Sequence, residues 1–277
     1  TGPGIIGMYG IGAKPRILPT TTSAIVLGSP SVLTMQDWRI MDLEFDGQSN
    51  ANLRGVAVNG DADQITLLRL NVHNMGSGIL LDADVLAFYS GTHIFDQFTV
   101  ADSAFNTFTG EYGFYLFANR LALLGDFVND TNGGTAQHVV RIMHSAKGVI
   151  SNNTFGNPAP TKQVFTLRGV SYSSVGCPSG QCLPGYFPYG SYAALTSQTV
   201  ISDNHFISGN TQQPVTVEPS DANAWDVRFQ DIIMERNWYT ATPVTTCCLP
   251  MLKIEAQDVT VRNEIIDLTN GQYHRGI

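Results

Sequence analysis

One short spelling of apolar and polar positions keeps returning along this chain. An apolar residue is followed by three mostly polar or small ones, then Asn or Asp, any residue, and a large apolar one. It appears as "VISNNTF" (149–155), "VISDNHF" (200–206), "IMERNWY" (233–239) and "VTVRNEI" (259–265), with looser versions "TVADSAF" (99–105) and "ALLGDFV" (122–128). The fifth positions fall at 103, 126, 153, 204, 237 and 263, so the gaps are 23, 27, 51, 33 and 26. The gap of 51 reads as two turns of about 25, lengthened by an inserted loop.

A period in the middle twenties, made of short strands with no amphipathic helix, predicts a parallel β-helix. Like residues of successive coils then stack. Phe155, Phe206 and Tyr239 are expected to share one interior column, and Asn153, Asn204, Asn237 and Asn263 to form an amide ladder along the axis. A β-sandwich has turns every 8–12 residues but gives no reason for one motif to return at each coil. Leucine-rich repeats share the period but not the Leu spacing. "WRIMDLEFDG" (38–47) and "ITLLRLNVHN" (65–74) read as earlier coils. The reading is a single all-β domain over 1–277, a solenoid of about 9–10 coils with an insertion near 171–197. "YHRGI" (273–277) looks like the start of another coil with no polar cap, which predicts a portion of a longer chain or end-to-end self-association.

Composition supports this and narrows the function. Only 14% of residues are charged, 43% are hydrophobic, and 27 are glycine, which suits tight turns between strands rather than disorder. A net charge of -8 argues against nucleic-acid binding, which needs a basic footprint. No apolar run is long enough for a membrane span. Thr1 in place of Met suggests a processed or trimmed start. Cys177 and Cys182 bracket "PSGQ" at a spacing a disulfide can close, which favours an exported protein, whereas Cys247 and Cys248 are adjacent.

Candidate chemistry gathers in "HVVRIMHSAKGVISNNTF" (138–155). Six basic residues, His138, Arg141, His144, Lys147, Lys162 and Arg168, fall within 31 positions of a chain holding 15 Lys plus Arg. Lys147 and Arg168 are 21 apart, close enough to one coil to predict that they lie on neighbouring rungs and grip one sugar unit. The plainer alternative is that such residues only blunt exposed strand edges. The following loop, 171–195, carries Tyr172, Tyr186, Phe187, Tyr189 and Tyr192, suited either to stacking on sugar rings or to covering the solenoid's flank. Two aspartate pairs, Asp82 with Asp84 and Asp126 with Asp130, are the candidates for a hydrolase. His138, His144 and Asp130 are a weak option for a metal, and no metal site is expected. Phosphate-binding loops and nucleophile elbows are absent.

The opening "GPGIIGMYGIGAKPRIL" resembles the first coil of right-handed β-helix enzymes, and much of the chain is similar to secreted bacterial proteins of that fold. Residues 138–170 resemble the β-helical polysaccharide lyases of the alginate lyase and chondroitinase B type, through "SAKGVISNNTF" and "FTLRG". That resemblance implies β-elimination on an acidic, uronate-containing polysaccharide. Lys147 would remove the proton beside the uronate carboxylate and Arg168 would stabilise the resulting charge. Substrate would be held by His138, Arg141, His144, Lys162, Tyr172 and Tyr189. The family's acidic calcium ligands precede its lysine, where this chain has Arg141, Ile142 and Met143; Gly169 stands where the family has histidine. No cofactor is required on this reading, calcium stays open, and His144 is an alternative match to the lysine. The competing expectations are a non-catalytic glycan-binding, surface-fibre or assembly solenoid, and a hydrolase using paired aspartates.

Overall fold

The computed structural model describes residues 3–28, 35–81, 95–129, 138–159, 162–168, 196–208, 213–218, 229–243, 249–256, 258–270 and 274–275. Among them there are strands and turns but no helix, and hence no helix long and apolar enough to cross a membrane. Twenty-four strands join in one continuous hydrogen-bonded network, and each strand pairs in parallel with the coil before and the coil after. The coils stack as a solenoid with three sheet faces.

The first face holds β1 (Gly4–Gly7), β4 (Met35–Met41), β6 (Ala62–Leu68), β8 (Phe95–Ala101), β11 (Ala122–Leu124), β14 (Val149–Ser151), β17 (Thr196–Ser202), β20 (Phe229–Glu235) and β24 (Val259–Arg262). The second begins at β2 (Arg16–Ile17). It continues through the first halves of β5 (Glu44–Val58) and β7 (Asn71–Leu81), then β9 (Ala104–Phe108), β12 (Phe127–Asn129), β15 (Thr154–Gly156), β18 (His205–Ile207), β21 (Trp238–Thr240) and β25 (Ile265–Asp267). The third comprises β3 (Ser23–Leu27), the second halves of β5 and β7, β10 (Phe114–Asn119), β13 (Val140–Ala146), β16 (Phe165–Arg168), β19 (Val215–Glu218) and β23 (Leu252–Ile254).

Period-2 alternation sends every second side chain of each strand inward, and parallel register stacks like on like. One column on the second face runs Phe45, Val72, Phe105, Val128, Phe155, Phe206, Tyr239. All seven are fully buried. Phe155 and Phe206 lie 5.7 Å apart and Phe206 and Tyr239 5.3 Å, ring on ring, so the predicted aromatic column is present. Each such ring buried contributes roughly 1.5–3 kcal/mol of hydrophobic stabilisation.

Where the first face turns into the second, a residue with left-handed backbone is followed by one whose side chain points inward. The left-handed positions are Asp102, Gly125, Asn152, Asp203, Arg236 and Asn263, with φ between 49 and 71°. The inward side chains form a ladder in which each carries the amide of the residue one coil earlier. Asp126 accepts from the Ser103 N–H (3.0 Å), Asn153 from Asp126 (2.8 Å), Asn204 from Asn153 (3.0 Å), Asn237 from Asn204 (3.0 Å) and Glu264 from Asn237 (3.1 Å).

Two sequence expectations are corrected here. Asn263 is not a ladder member, because Ile233 pairs with Thr260; the motif of the last coil runs one residue later, and Glu264 takes the rung while Asn263 takes the left-handed corner. The gap of 51 is also one coil, not two. Val149 pairs directly with Val200, and Asn153 bonds directly to Asn204, so the extra length is an insertion within a single turn.

Candidate functional site

The third face holds a cluster of charged side chains around β13, β16, β19 and β23. Its outward column reads Tyr115, Arg141, Thr166, Thr216, Lys253 on five successive strands. Two residues further along the strands, Arg168 is level with Glu218. Outward residues of a solenoid usually meet water, yet Thr166 and Thr216 have no exposure and Glu218 only 7%. The hydroxyls of both threonines are buried without a hydrogen-bond partner, which is costly unless something else satisfies them.

Around this floor stand several cations and two carboxylates. Arg168 Nη1 donates to Glu218 Oε1 at 2.5 Å, and Lys253 Nζ donates to Glu218 Oε2 at 2.6 Å and to Glu255 Oε1 at 2.9 Å. Burial lowers the pKa of Arg168, against the opposing pull of Glu218. Arg141 donates from Nη1 to the Tyr112 hydroxyl at 3.5 Å, and the rings of Tyr112 and Tyr115 are 5.0 Å apart. Burial pushes the Tyr115 phenol up, so it keeps its proton.

His138 completes the cluster. It is 7% exposed, its ring lies stacked 6.2 Å from Tyr112, and its Nδ1 accepts the Gln163 N–H at 3.2 Å. Burial first, then the charges of Arg141, Arg168 and Lys162, push its pKa down to about 3. It is therefore an uncharged imidazole among cations. Among the described residues of this cluster, the cations Arg141, Lys162, Arg168 and Lys253 outnumber the carboxylates Glu218 and Glu255.

Of the residues expected from sequence, the structure gathers His138, Arg141, Lys162 and Arg168. Lys147 is elsewhere. Arg141 pairs with Thr166, so the rung step is 25 residues rather than 21. Lys147 lies at the exposed left-handed corner between β13 and β14, with φ of 55° and its N–H bonded to Ser197 O. The Lys147–Arg168 pair is thus not formed.

His144 is corrected as well. It is fully buried, its Nε2 lies 2.9 Å from Asn119 Oδ1, and burial lowers its pKa to about 3, so it is a neutral core residue rather than a substrate contact. Asp126 sits on an interior rung at 1% exposure, which removes it from any surface carboxylate pair. Tyr172 and Tyr189, the other aromatics of 171–195, Asp82, Asp84, Asp130 and all four cysteines lie outside the described residues.

Sequence reasoning missed Tyr112, Tyr115, Glu218 and Lys253. Glu218 and Lys253 are 50 and 85 residues from Arg168, and only the recognition that the 51-residue gap is one coil would have put them beside it.

No family model matches the chain, and no curated protein matches it. Among solved structures it is similar to PfbA, a surface adhesin of Streptococcus pneumoniae, at 9% identity over 98% of this chain and 77% of that chain, TM-score 0.37. It is also similar to the A-module of the mannuronan C-5 epimerase AlgE6 of Azotobacter vinelandii, at 10% identity over 92% and 79%, TM-score 0.28. At these scores neither likeness carries an argument about function.

Proposed function

We propose that this protein is a right-handed parallel β-helix of nine to ten coils that acts outside the cell, binds a uronate-containing polysaccharide on its third face and cleaves it by β-elimination. Right-handed crossovers are the rule for parallel strands. The observation that carries the reading is the convergence of Arg141, Lys162 and Arg168 on the uncharged His138, with the Tyr112 hydroxyl in contact with Arg141.

The groups suit the chemistry. Arg141 faces the uronate carboxylate and stabilises the charge that builds up when the neighbouring C5 proton leaves. Tyr112, once its own phenol proton has passed to solvent, takes that proton as the phenolate, with Arg141 donating to its oxygen. The C5–H electrons form the C4–C5 double bond, the C4–O bond breaks, and the leaving oxygen takes the proton of Tyr115. The cycle closes when solvent returns a proton to Tyr115 and takes one from Tyr112.

A second reading, binding without cleavage, is favoured by the ion pair that closes Arg168 on Glu218. One experiment separates the two. The protein is incubated with a panel of uronate polymers while the ultraviolet absorbance of unsaturated products and polymer binding are both followed. Tyr112→Phe is expected to lower turnover by about 10²–10⁴-fold with binding kept, whereas Arg141→Ala weakens both. Binding with no unsaturated product from any polymer refutes elimination in favour of the second reading. Reducing ends without that absorbance mean hydrolysis.

A further inference from the structure

Arg141 differs from the other arginines of this chain in what holds it. Eight others among the described residues each have a carboxylate oxygen within 3.9 Å. Arg141 has none in reach among those residues, on a chain with 23 Asp plus Glu against 15 Lys plus Arg. Its hydrogen bonds go to uncharged acceptors instead. Nε donates to Met143 Sδ at 3.2 Å, and Nη1 donates to the Tyr112 hydroxyl at 3.5 Å. All three residues are half-buried, so the guanidinium is not shut off from solvent.

Met143 occupies the atom that matters most. Arg69, Arg120 and Arg236 grip Asp42, Asp96 and Asp203 side-on, with Nε on one carboxylate oxygen and Nη2 on the other. In Arg141 that edge is closed by a thioether, a weak acceptor with no charge. A guanidinium carries five N–H donors. With Nε and one hydrogen of Nη1 engaged, the other Nη1 hydrogen and both on Nη2 remain. A ligand carboxylate is then received end-on, by Nη1 and Nη2 together, in a bidentate pair.

The backbone accounts for the reach of Met143. β10 pairs with β13 at Leu116–Ile142 and again at Phe117–His144, so Met143 is the extra residue of a bulge. Bulges re-aim a side chain and recur beside functional sites.

We propose that Met143 is a positioning residue, whose thioether aims the Arg141 guanidinium without neutralising it and leaves the Nη1–Nη2 end open to a ligand carboxylate. This rests on the reading of Arg141 as the group that faces the uronate carboxylate. A carboxylate in place of the thioether would hold Arg141 as firmly but cancel its charge. An alkyl chain would leave the charge and lose the aim.

The plainer role for a half-buried methionine is packing, and the two roles order substitutions oppositely. For packing, Met143→Leu is the mild change and Met143→Gln the harsher one, because volume-conserving apolar swaps are tolerated best. For positioning, Met143→Gln keeps a neutral acceptor at similar reach, whereas Met143→Leu has none.

The test measures the affinity of the whole chain and its variants for polygalacturonate, with a melting curve to show that each is folded. Met143→Gln is expected to bind within about threefold of the wild type, and Met143→Leu about three- to tenfold more weakly than Met143→Gln, the worth of one modest hydrogen bond. Met143→Glu pairs with Arg141 as acidic residues pair with the other arginines, and is expected to weaken binding by about a hundredfold. Met143→Leu binding as well as Met143→Gln, or Met143→Glu binding as well as the wild type, would overturn the proposal while leaving Arg141 as the carboxylate contact. Should Met143→Glu fold poorly, the order of the Gln and Leu variants decides alone. A wild type that binds neither polygalacturonate nor any other uronate polymer would overturn the parent reading and this proposal with it.

Discussion

Asp126 shows how much a single atom decides in this ladder. At Asn153, Asn204 and Asn237 the Nδ2 group donates twice, to a backbone carbonyl of the preceding coil and to the side-chain oxygen of the next rung. In Asp126 that place is taken by Oδ2, which has no partner. An amide at this place donates as the other rungs do, whereas a carboxyl can donate only when it carries its proton. Burial, the leading cause, raises its pKa to about 7, in the same direction. The folded acid holds its proton more tightly than the unfolded one, so its stabilisation is complete below about pH 4 and is lost as pH rises through 7, by an amount on the order of 4 kcal/mol. Asp126→Asn supplies the missing donor at every pH. It is expected to raise the melting temperature at pH 8, with little change at pH 4.5. A lower melting temperature at pH 8 would refute the argument.

At the scale of an element, the corners explain why Lys147 looked like part of a site. A second column of left-handed residues falls within or just before the first-face strand of successive coils: Asp37, Gln64, Gln97, Arg120, Lys147, Gln198, Asp231 and Asp258. This corner needs a positive φ and an outward side chain, and polar residues of any charge serve. Lys147 fills that requirement. Lys147→Gly is expected to leave polymer turnover and binding unchanged and to stabilise by no more than roughly 0.5–1 kcal/mol, since glycine adopts the left-handed region without a Cβ penalty. A tenfold loss of turnover would restore Lys147 to the mechanism. The ion pairs of the other corner column, such as Asp42 with Arg69 and Asp203 with Arg236, are exposed and contribute little.

For the molecule as a whole, nearest-neighbour stacking governs stability, since each coil touches mainly the coils on either side. The 51-residue coil tests this. The Thr196 hydroxyl donates to Arg168 O at 3.4 Å, so the two ends of the 169–195 insertion meet, and Val149–Ser151 pairs with Val200–Ser202 without it. Replacing 169–195 by a short Gly/Ser linker is expected to preserve the β-sheet circular dichroism and a cooperative melt. Loss of that signal would mean that the stack depends on the insertion.

The coil motif, the aromatic column and most of the ladder were legible in the chain, because a parallel stack repeats its interior requirement at every turn and writes it in the same order. Phe155, Phe206 and Tyr239 could be aligned by eye for that reason. The last rung was misread because "VTVRNEI" satisfies the spelling in two phases, and only the Ile233–Thr260 pairing chooses between them. The cationic stretch at 138–168 was also visible, though not its partners. What the sequence determined alone is therefore whatever the solenoid repeats: strands, corners and the inward column. Which outward residues meet was decided by the tertiary structure. An insertion of unknown length can sit inside any coil without disturbing the interior, and each such insertion resets the count by which Arg168 finds Glu218 and Lys253 rather than Lys147.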